Sequence, residues 1–250
     1  MLTPERHQII LDLLKDRGVV KLHELVEATS SSESTIRRDL SQLEDEKKLK
    51  RVHGGASLLA QKGEELSITE KATKNLKEKD KIAQYAASLI RDGDCIYLDA
   101  GTTAFQMIPH IKAKEIKVVT NGLTHLEELL ERGIDTYITG GYIKQKTRAL
   151  IGKGALEGVK QYRFDKCFIG VNAIHTEYGF TTPDPEEAMV KLNAMDLSQE
   201  TFILGDRTKL NEVTFAKVAD LKQGTIITDE TDDEILAPYI EKTTIKVVTT

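Results

Sequence analysis

Residues 34–43 read Ser34-Thr35-Ile36-Arg37-Arg38-Asp39-Leu40-Ser41-Gln42-Leu43, and residues 49–55 read Leu49-Lys50-Arg51-Val52-His53-Gly54-Gly55. Ile36, Leu40 and Leu43 recur at spacings of four and three, which predicts one apolar stripe on a helix. The second run is a basic strand that ends in a double glycine, a pattern typical of a hairpin. We therefore expect an amphipathic helix with two outward-facing arginines, followed by a basic wing.

Two further helices are expected before this one. The first begins at Thr3-Pro4-Glu5, a cap followed by proline in the first turn. The second is shorter, and the polar turn 29–33 separates it from the arginine-bearing helix. Two short helices joined by a small polar turn form the helix-turn-helix arrangement. The apolar positions of the two earlier helices are Ile9, Ile10, Leu13, Leu14, Leu22, Leu25 and Val26.

The exposed side chains of this helix and wing have the chemistry to bind DNA. Arginine can bond a phosphate or a guanine bidentately, and serine, threonine and glutamine can reach base edges or phosphates. The candidate DNA-binding residues are Ser34, Thr35, Arg37, Arg38, Ser41, Gln42, Lys50, Arg51 and His53. The simpler alternative is a solvated amphipathic helix that happens to carry two arginines. The basic wing at the expected distance favours DNA binding over that alternative.

The charge of the chain is unevenly distributed. Residues 1–60 contain ten basic and ten acidic side chains, so residues 61–250 carry the whole formal net charge of −5. Within the neutral first part, the basic residues of the helix and wing are concentrated in two short runs. This pattern indicates local phosphate contact and argues against a general binder of polyanions.

Length and composition narrow the class of protein further. A chain of 250 residues, 40% of them hydrophobic, suits one small and one medium domain. No run approaches the ~20 apolar residues of a membrane span, and the N-terminus has no charged-then-apolar signal pattern. Cys95 and Cys167 lie in apolar strand-like runs without metal-ligand spacing. We expect both to be buried reduced thiols, and such thiols lead us to expect a cytoplasmic protein. We expect no metal and no organic cofactor.

Strands and helices alternate in the second part of the chain, after a polar, charged connector from Leu59 to about Lys79. Strand-like runs cover 95–98, 116–120, 136–139, 166–169, 201–204, 225–228 and 245–248. Helix-like runs cover about 79–91, 103–110, 123–132, 149–160, 185–197 and 232–240. This alternation predicts an α/β domain with a largely parallel sheet covered by helices.

Small and polar residues follow several of these strands. The loops are Asp99-Ala100-Gly101-Thr102-Thr103 after the first strand, Thr120-Asn121-Gly122 after the second, Gly140-Gly141 after the third and Asp206-Arg207-Thr208-Lys209 after the fifth. Open α/β sheets bind ligands at the carboxyl ends of their strands. The first loop also opens a helix, and its N–H groups and hydroxyls could hold phosphate. Asp206 could accept hydrogen bonds from sugar hydroxyls, and Lys209 could pair with phosphate.

Each of these loops has a plainer interpretation when taken alone. Glycine after a strand is most often a turn, and this applies above all to Gly140-Gly141. Lys71 and Lys79 fall in the charged connector, where a solvated surface is the default. The coincidence of several such loops nevertheless favours one shared site for an anionic ligand.

The helix and wing resemble the N-terminal signature of the DeoR family of bacterial repressors. The resemblance rests on Ser34-Thr35-Ile36-Arg37-Arg38-Asp39-Leu40-x-x-Leu43 together with Arg51-Val52-His53-Gly54-Gly55-Ala56. It covers nearly the whole chain, because Lys71-x-x-x-Asn75-x-x-Glu78-Lys79-x-x-Ile82-Ala83 matches the family's entry into its sensor domain. Lys71 stands there at a position where arginine is commoner.

The resemblance implies a sensor domain similar in fold to ribose-5-phosphate isomerase, preceded by a small winged helix-turn-helix domain. It also implies an effector site. The effector-binding candidates are Lys71, Lys79, Asp99, Gly101, Thr102, Thr103, Thr120, Asn121, Gly140, Gly141, Asp206 and Lys209. The start Met1-Leu2-Thr3-Pro4-Glu5-Arg6-His7 looks most similar to the fructose-operon repressors, a subgroup that would imply fructose 1-phosphate as the effector.

We therefore expect a transcriptional repressor that binds operator double-stranded DNA and is released by a phosphorylated sugar. The expected domains are 1–58 for DNA binding, 59–76 as a linker and 77–250 as the sensor. A two-fold operator would require a homodimer or homotetramer. One alternative is a sugar-phosphate isomerase with an accessory domain, but Asp99, Glu177, Asp206 and Lys209 form no distinctive catalytic set. An activator of the same architecture is a second alternative.

Overall fold

The chain folds into two compact units, Met1–Glu64 and Glu65–Thr250. The structure is a computed structural model that describes residues 2–17, 19–46, 48–52, 55–58 and 66–249. The candidate His53, the side chain of Lys50 and residues 59–65 of the expected linker lie outside the described residues.

The first unit is a three-helix fold with a small antiparallel sheet. Its elements are α1 (Thr3–Arg17), β1 (Val19–Lys21), α2 (Leu22–Thr29), α3 (Glu33–Asp45), β2 (Leu49–Val52) and β3 (Gly55–Leu58). The strands pair in the order β1-β3-β2, so β2 and β3 form the expected hairpin. The predicted stripe of α3 is buried, and it packs with Ile10, Leu14 and Leu25 of the two earlier helices. This is the predicted winged helix-turn-helix arrangement.

Local chemistry explains where these elements begin and end. The hydroxyl of Ser32 caps α3 by accepting a hydrogen bond from the backbone N–H of Thr35 at 3.2 Å. Ser30 ends α2 in the left-handed conformation, with φ at 49°. Gly55 is needed for close approach, because a Cβ atom there would collide with the carbonyl oxygen of Val20 in β1.

The second unit is an α/β fold. Its helices are α4 (Ile68–Thr73), α5 (Leu76–Ser88), α6 (Thr102–Met107), α7 (Leu126–Glu131), α8 (Gly152–Val159), α9 (Pro185–Asp196) and α10 (Asp233–Ile240). Its strands are β4 (Cys95–Leu98), β5 (Lys117–Thr120), β6 (Asp135–Ile138), β7 (Tyr142–Ile143), β8 (Leu150–Ile151), β9 (Phe164–Gly170), β10 (Ala173–His175), β11 (Gly179–Thr182), β12 (Ser198–Leu204), β13 (Ala216–Ala219), β14 (Thr225–Thr228) and β15 (Ile245–Val247).

Seven of these strands form one parallel sheet in the order β15-β14-β12-β9-β4-β5-β6. Apolar residues on its two faces form two large buried clusters. From β4 the chain first winds outward through β5 and β6, and then returns to the other side of β4 to place β9. The strand order therefore reverses between β4 and β9, and such a switch point leaves a crevice at the carboxyl ends of the strands.

All seven predicted strands are present, and the expectation of a largely parallel sheet is confirmed. The sequence pattern missed β7, β8, β10, β11 and β13, which form a two-stranded and a three-stranded antiparallel sheet. These strands have two to four residues, too few to show a period. The helix predicted over 149–160 was wrong at its start, because Leu150–Ile151 pairs with Tyr142–Ile143 and the helix begins only at Gly152.

Two smaller expectations need correction. Helix α4 lies within the stretch 59–76 that was expected to be a linker, and it is part of the second unit. Cys167 is a fully buried free thiol, but Cys95 is only partly buried because it stands at the amino end of its strand. Within the described part of the chain, no helix combines the length and the apolar character needed to cross a membrane.

Candidate functional site

A cleft of about 710 Å³, including its open mouth, lies at the switch point of the second unit. The loop after β4 and the loop Gly170-Val171-Asn172 after β9 meet there. Nine of the twelve predicted effector residues line this cleft: Lys71, Lys79, Asp99, Gly101, Thr102, Thr103, Asn121, Asp206 and Lys209. The fold thus gathers residues that are spread over about 140 positions of sequence.

Three lysines dominate the chemistry of one end of the cleft. Lys79 is buried, and its ammonium group donates a hydrogen bond to the backbone oxygen of Lys71 in α4. The pKa of Lys79 is lowered to about 8, chiefly by burial and in smaller part by the positive charges of Lys209 and Lys71, while the carboxylate of Asp206 opposes the shift. Burial likewise lowers the pKa of Lys209. Buried positive charge on Lys79 and Lys209 favours binding of an anion.

Asp206 organises the turn that carries Lys209. Its carboxylate caps the turn by accepting hydrogen bonds from the backbone N–H of Thr208 at 3.0 Å and from the side-chain amide of Asn75 at 3.2 Å. Only 2% of Asp206 is exposed. The carboxylate of Asp206 therefore already has a structural role, and any hydrogen bond to a sugar hydroxyl would be made in addition to it.

Asp99 is already paired. Lys191 of α9 reaches both of its carboxylate oxygens, at 2.6 and 2.7 Å, and the backbone N–H of Gly170 donates to it at 3.1 Å. The pair is almost fully buried. Asp99 therefore ties the loop after β4 to the loop after β9 and to α9, and its charge is neutralised before any ligand arrives.

Asn121 has a similar bracing position at the edge of the cleft. Its side-chain oxygen accepts from the backbone N–H of Ala100 at 3.1 Å, and its amide donates to the carbonyl of Leu150 at 3.2 Å. It thereby joins the loops after β4 and β5 to β8. These hydrogen bonds fix the direction of the backbone N–H and C=O groups in the loops after β4 and β5.

Three predicted effector residues do not line the cleft. Thr120 is fully buried, and its hydroxyl donates to the carbonyl of Leu98 at 2.6 Å, so it holds two strands together. Gly140 and Gly141 both have positive φ, and Gly141 lies so close to Ala155 of α8 that a Cβ atom would not fit. Gly140 and Gly141 therefore form a turn that packs against α8, which is the plainer of the two interpretations that the sequence allowed.

Several cleft residues were absent from the sequence-based candidates: Ile68, Thr147, Asn172, Glu187 and Lys191. Glu187 is buried and accepts hydrogen bonds from the hydroxyl of Thr147 at 2.8 Å and from Lys144 at 3.0 Å. Lys144 also pairs with Asp184 at 2.8 Å. The sequence did contain a signal for two of these residues. Glu187 and Lys191 are charged, lie four positions apart, and share the buried side of α9 with apolar residues.

On the first unit, the candidate DNA-binding side chains stand on the outer face of α3. Arg37 and Arg38 are both exposed, and Arg37 pairs with Glu33 at 2.6 Å. The guanidinium of Arg51 in the wing donates to the hydroxyl of Ser41 at 2.8 Å, which links wing and helix. Among the other candidates, Gln42 bonds Glu46, whereas the hydroxyls of Ser34 and Thr35 bond the capping Ser32.

Helix α3 is also anchored from its inner side. Asp39 is almost fully buried, and Arg6 of α1 binds it through two nitrogens, one of them 2.9 Å from Oδ1. Burial by itself would raise the pKa of Asp39, but the hydrogen bond and charge of Arg6 outweigh it and hold this pKa below its ordinary value. This ion pair fixes the arginine-bearing helix against α1, and the sequence analysis did not predict it.

Comparison with known families accounts for both units. The model of the DeoR-like helix-turn-helix domain matches residues 6–62, and that of the DeoR C terminal sensor domain matches residues 74–230. The chain is 50% identical over 249 residues to the uncharacterized HTH-type transcriptional regulator FruR of Bacillus subtilis (strain 168), covering 99% of each chain. It is 37% identical over 211 residues to the lactose phosphotransferase system repressor of Lactococcus lactis subsp. lactis, covering 82% of each.

Two solved structures overlap part of the chain. Ribose 5-phosphate isomerase A of Methanocaldococcus jannaschii overlaps 54% of this chain and 55% of its own, at 16% identity and a TM-score of 0.41. The eIF2B beta subunit of Chaetomium thermophilum overlaps 67% of this chain and 54% of its own, at 12% identity and a TM-score of 0.47.

Proposed function

The chain belongs to the DeoR family of DNA-binding transcriptional regulators, and from this we propose that it represses a sugar-catabolic operon and is released from its operator by a phosphorylated sugar. The proposed effector is fructose 1-phosphate, and the proposed site is the cleft of the second unit. The full-length likeness to FruR supports the fructose-operon subgroup. The chain is a regulator and not an enzyme, because its full-length relatives are transcriptional regulators.

The observation that carries the phosphosugar proposal is the lysine-rich end of the cleft. Lys79, Lys209 and Asp206 line this end, and the pKa values of Lys79 and Lys209 are both lowered, chiefly by burial. A phosphate monoester carries a charge of roughly −1.5 to −2 at neutral pH. It would stabilise the charged forms of the two buried lysines and relieve the repulsion between them. No comparable gain is available to an uncharged sugar.

The neighbouring loops offer groups that suit the sugar portion. Gly101 and Thr102 are partly exposed at the cleft, and Asn172 faces it from the loop after β9. Hydroxyl and amide groups of this kind can donate and accept hydrogen bonds with sugar hydroxyls. The proposed pose therefore directs the phosphate to the lysines and the hydroxyls to the loops after β4 and β9.

The hydrogen bond from Lys79 to Lys71 supplies a route for the response. A phosphate that takes the ammonium group of Lys79 competes with the backbone oxygen of Lys71 in α4. Helix α4 is the first described element after the first unit. At its start, the backbone N–H of Ile68 donates a hydrogen bond to the backbone oxygen of Lys146 at 2.8 Å. We propose that effector binding changes the position of α4, since a ligand shifts an equilibrium only through different affinities for the two states.

On the DNA side, we propose that the first unit binds the operator through α3 in the major groove and through the wing. Arg37, Arg38 and Arg51 supply the positive charge for this contact. Helix-turn-helix regulators bind two half-sites with two copies of the motif, so the proposed active form is a homodimer or a homotetramer. Such a regulator works in the cytoplasm, where the bacterial chromosome lies.

The test is a binding titration with the full chain. Calorimetry would compare fructose 1-phosphate, fructose 6-phosphate, fructose and inorganic phosphate, and a gel-shift titration would use an operator selected from random-sequence duplexes. We expect fructose 1-phosphate to bind most tightly and to release the DNA. Tight binding of unphosphorylated fructose, or no release of DNA by any sugar phosphate, would contradict the proposal.

A further inference from the structure

Strand β6 forms one edge of the seven-stranded sheet, and in the described part of the chain it pairs with β5 alone. The backbone N–H of Thr139, the residue after β6, donates to the carbonyl of Thr120 in β5 at 3.1 Å. Backbone groups of successive strand residues point to opposite sides, so those of Tyr137 also face β5, and those of Thr136 and Ile138 face outward. The outer side of β6 therefore offers two N–H and two C=O groups to another strand.

The two edges of this sheet differ in how they are protected. Edge strands usually avoid pairing with another chain because they are short or carry a lysine, a proline or a bulge. Strand β15, at the opposite edge, has only three residues, with the exposed Lys246 at its centre. Strand β6 has neither lysine nor proline, its register with β5 is unbroken, and Tyr137 and Ile138 are exposed in it. The β6 edge is thus open to a further strand.

Further apolar side chains are exposed beside β6. Leu130 lies on α7, which packs against β6, and Tyr142 and Ile143 follow β6 after three residues. These three residues, together with Tyr137 and Ile138, form the β6 patch, and each is between 41% and 67% exposed. A large side chain presents about 200 Å² when fully exposed, so the patch exposes on the order of 500 Å². Two such patches would bury about 1,000 Å², the area at which specific interfaces begin.

We infer that β6 pairs with β6 of a second copy of this chain, antiparallel, about a two-fold axis that passes Tyr137. In this register Thr136 of each copy lies opposite Ile138 of the other. These are the two residues whose backbone groups face outward, so the pairing forms four hydrogen bonds and satisfies all of those groups. An axis at Thr136 would instead place Ile138 opposite Ile134, whose N–H already donates to the carbonyl of Leu129.

The side chains of β6 fit this register as well. The two Tyr137 rings would face each other across the axis, on the face of the sheet where Tyr137 and Tyr162 have ring centres 5.7 Å apart. Aromatic pairs across two strands stabilise a sheet. Asp135 would lie opposite Thr139 of the other copy, so no like charges meet. A two-fold interface requires a surface that fits itself, and β6 meets this requirement in both its backbone and its side chains.

This inference rests on the proposed function, because a two-fold operator is what calls for a second copy of the chain. It adds the surface through which the second unit would join its copy. An unrelated extended peptide could also add a strand to β6, but it would leave the purified chain monomeric. The mass of the protein in solution therefore separates the two occupants.

The first experiment is analytical ultracentrifugation of the full chain without DNA. We expect the parent to sediment with at least twice the 27.9 kDa mass of one chain. Tyr137→Lys places two like charges directly opposite each other and removes the aromatic pair, so it should raise the dissociation constant of the oligomer at least about tenfold. Phe215→Lys is the matched control, because it makes the same change at an exposed aromatic residue outside the β6 patch. It should associate as the parent does.

Disulfide cross-linking tests the register directly. Tyr137→Cys would place two Cα atoms about 4.5 Å apart across the axis, within the range that a disulfide spans. Mild oxidation should therefore join two copies. Ile138→Cys is the matched control, because its two Cα atoms would be roughly 9 Å apart, beyond that range. The parent, with its native Cys95 and Cys167, gives the background.

The outcomes are distinct from those of the proposed function. A monomeric parent overturns the inference, as does an oligomer that Tyr137→Lys leaves unchanged. A folded Tyr137→Cys that cross-links no more than the parent, or no more than Ile138→Cys, also overturns it. If circular dichroism shows that Tyr137→Lys does not fold, the cross-linking of Tyr137→Cys decides. Operator binding and its release by fructose 1-phosphate are measured separately, and they can hold with a different interface.

Discussion

At the scale of single residues, Arg37 and Arg38 are neighbours with different surroundings. Arg37 is held by Glu33, whereas Arg38 is exposed and has no side-chain partner in the described part of α3 and the wing. Arg38 is thus the more readily available group for DNA. Arg37 has to leave its exposed ion pair with Glu33 before it can bind DNA, and breaking such a pair costs little free energy.

We predict that Arg38→Ala weakens operator binding more than Arg37→Ala and leaves the fold intact. Loss of a phosphate contact should flatten the dependence of log K on log salt by about one unit, and loss of a base contact should cost about 1–3 kcal/mol and relax sequence preference. Fluorescence anisotropy at several salt concentrations measures both effects. Unchanged operator affinity in both variants would show that α3 is not the reading helix.

We predict that binding of a phosphosugar beside Lys79 depends on pH, because the pKa of this lysine is lowered. In the free protein Lys79 loses its proton near pH 8, and a bound phosphate would favour the charged amine and raise that pKa. Affinity should therefore be highest near about pH 7, where Lys79 is charged and the phosphate is largely a dianion, and it should be lost as the pH rises, with about tenfold weaker binding at about pH 9 than at about pH 7. Calorimetry in two buffers of different ionisation enthalpy should also detect proton uptake. Lys79→Met should bind weakly with little pH dependence over this range, and an equally strong dependence in that variant would assign the proton to another group.

At the scale of elements, the Arg6–Asp39 pair decides how α3 is held. The pair joins α1 to the inner face of α3, whose outer face carries the candidate DNA-binding residues. Breaking a buried pair by removing one partner leaves an uncompensated charge. Helix α3 then depends for its orientation on its apolar stripe and on its hydrogen bonds to Arg51 of the wing.

We predict that Asp39→Ala destabilises the first unit by on the order of 3 kcal/mol and weakens operator binding as a consequence. Because the pKa of Asp39 is lowered in the folded state, the stability it contributes is present above about pH 4 and is lost as the pH falls below that value. Thermal unfolding between about pH 3 and 7 should show a steeper acid loss in the parent than in Asp39→Asn. Identical acid profiles would exclude this pair as a source of stability.

At the scale of the whole molecule, the helix-turn-helix domain and the sensor domain lie in separate compact units. A substitution confined to the cleft should therefore alter the response to effector and spare DNA binding itself. Lys209 suits this test better than Asp206, because Asp206 also caps a turn and its removal would disturb the loop. Lys209 makes no comparable local contribution in the described structure.

We predict that Lys209→Met binds operator with the parent's affinity but needs at least about tenfold more fructose 1-phosphate for release, since a charge partner of the phosphate is lost. In cells the variant would give lasting repression. The measurement is a gel-shift titration of preformed complexes with the effector. Lys222→Met, an exposed lysine elsewhere in the second unit, is the control. Release of the Lys209 variant at the parent's effector concentration would place the phosphate elsewhere.

Much of this protein was determined by short-range features of its sequence. The spacing of Ile36, Leu40 and Leu43 predicts α3 and its buried face, because helix period and hydrophobic burial are local properties. The alternation of strands and helices predicts the parallel sheet for the same reason. Small polar residues after those strands predict the edge at which the cleft lies.

Only the tertiary structure decided which of these residues meet. Asp99 belongs with Lys191, Glu187 with Thr147, and Arg6 with Asp39, and these pairs are separated by 92, 40 and 33 positions. Strand order decided that the loops after β4 and β9 form the cleft while Gly140 and Gly141 turn against α8. The periodicity and composition of the sequence carry no information about such pairings. A buried charge needs a partner, but any suitable residue that the chain topology brings within reach can serve.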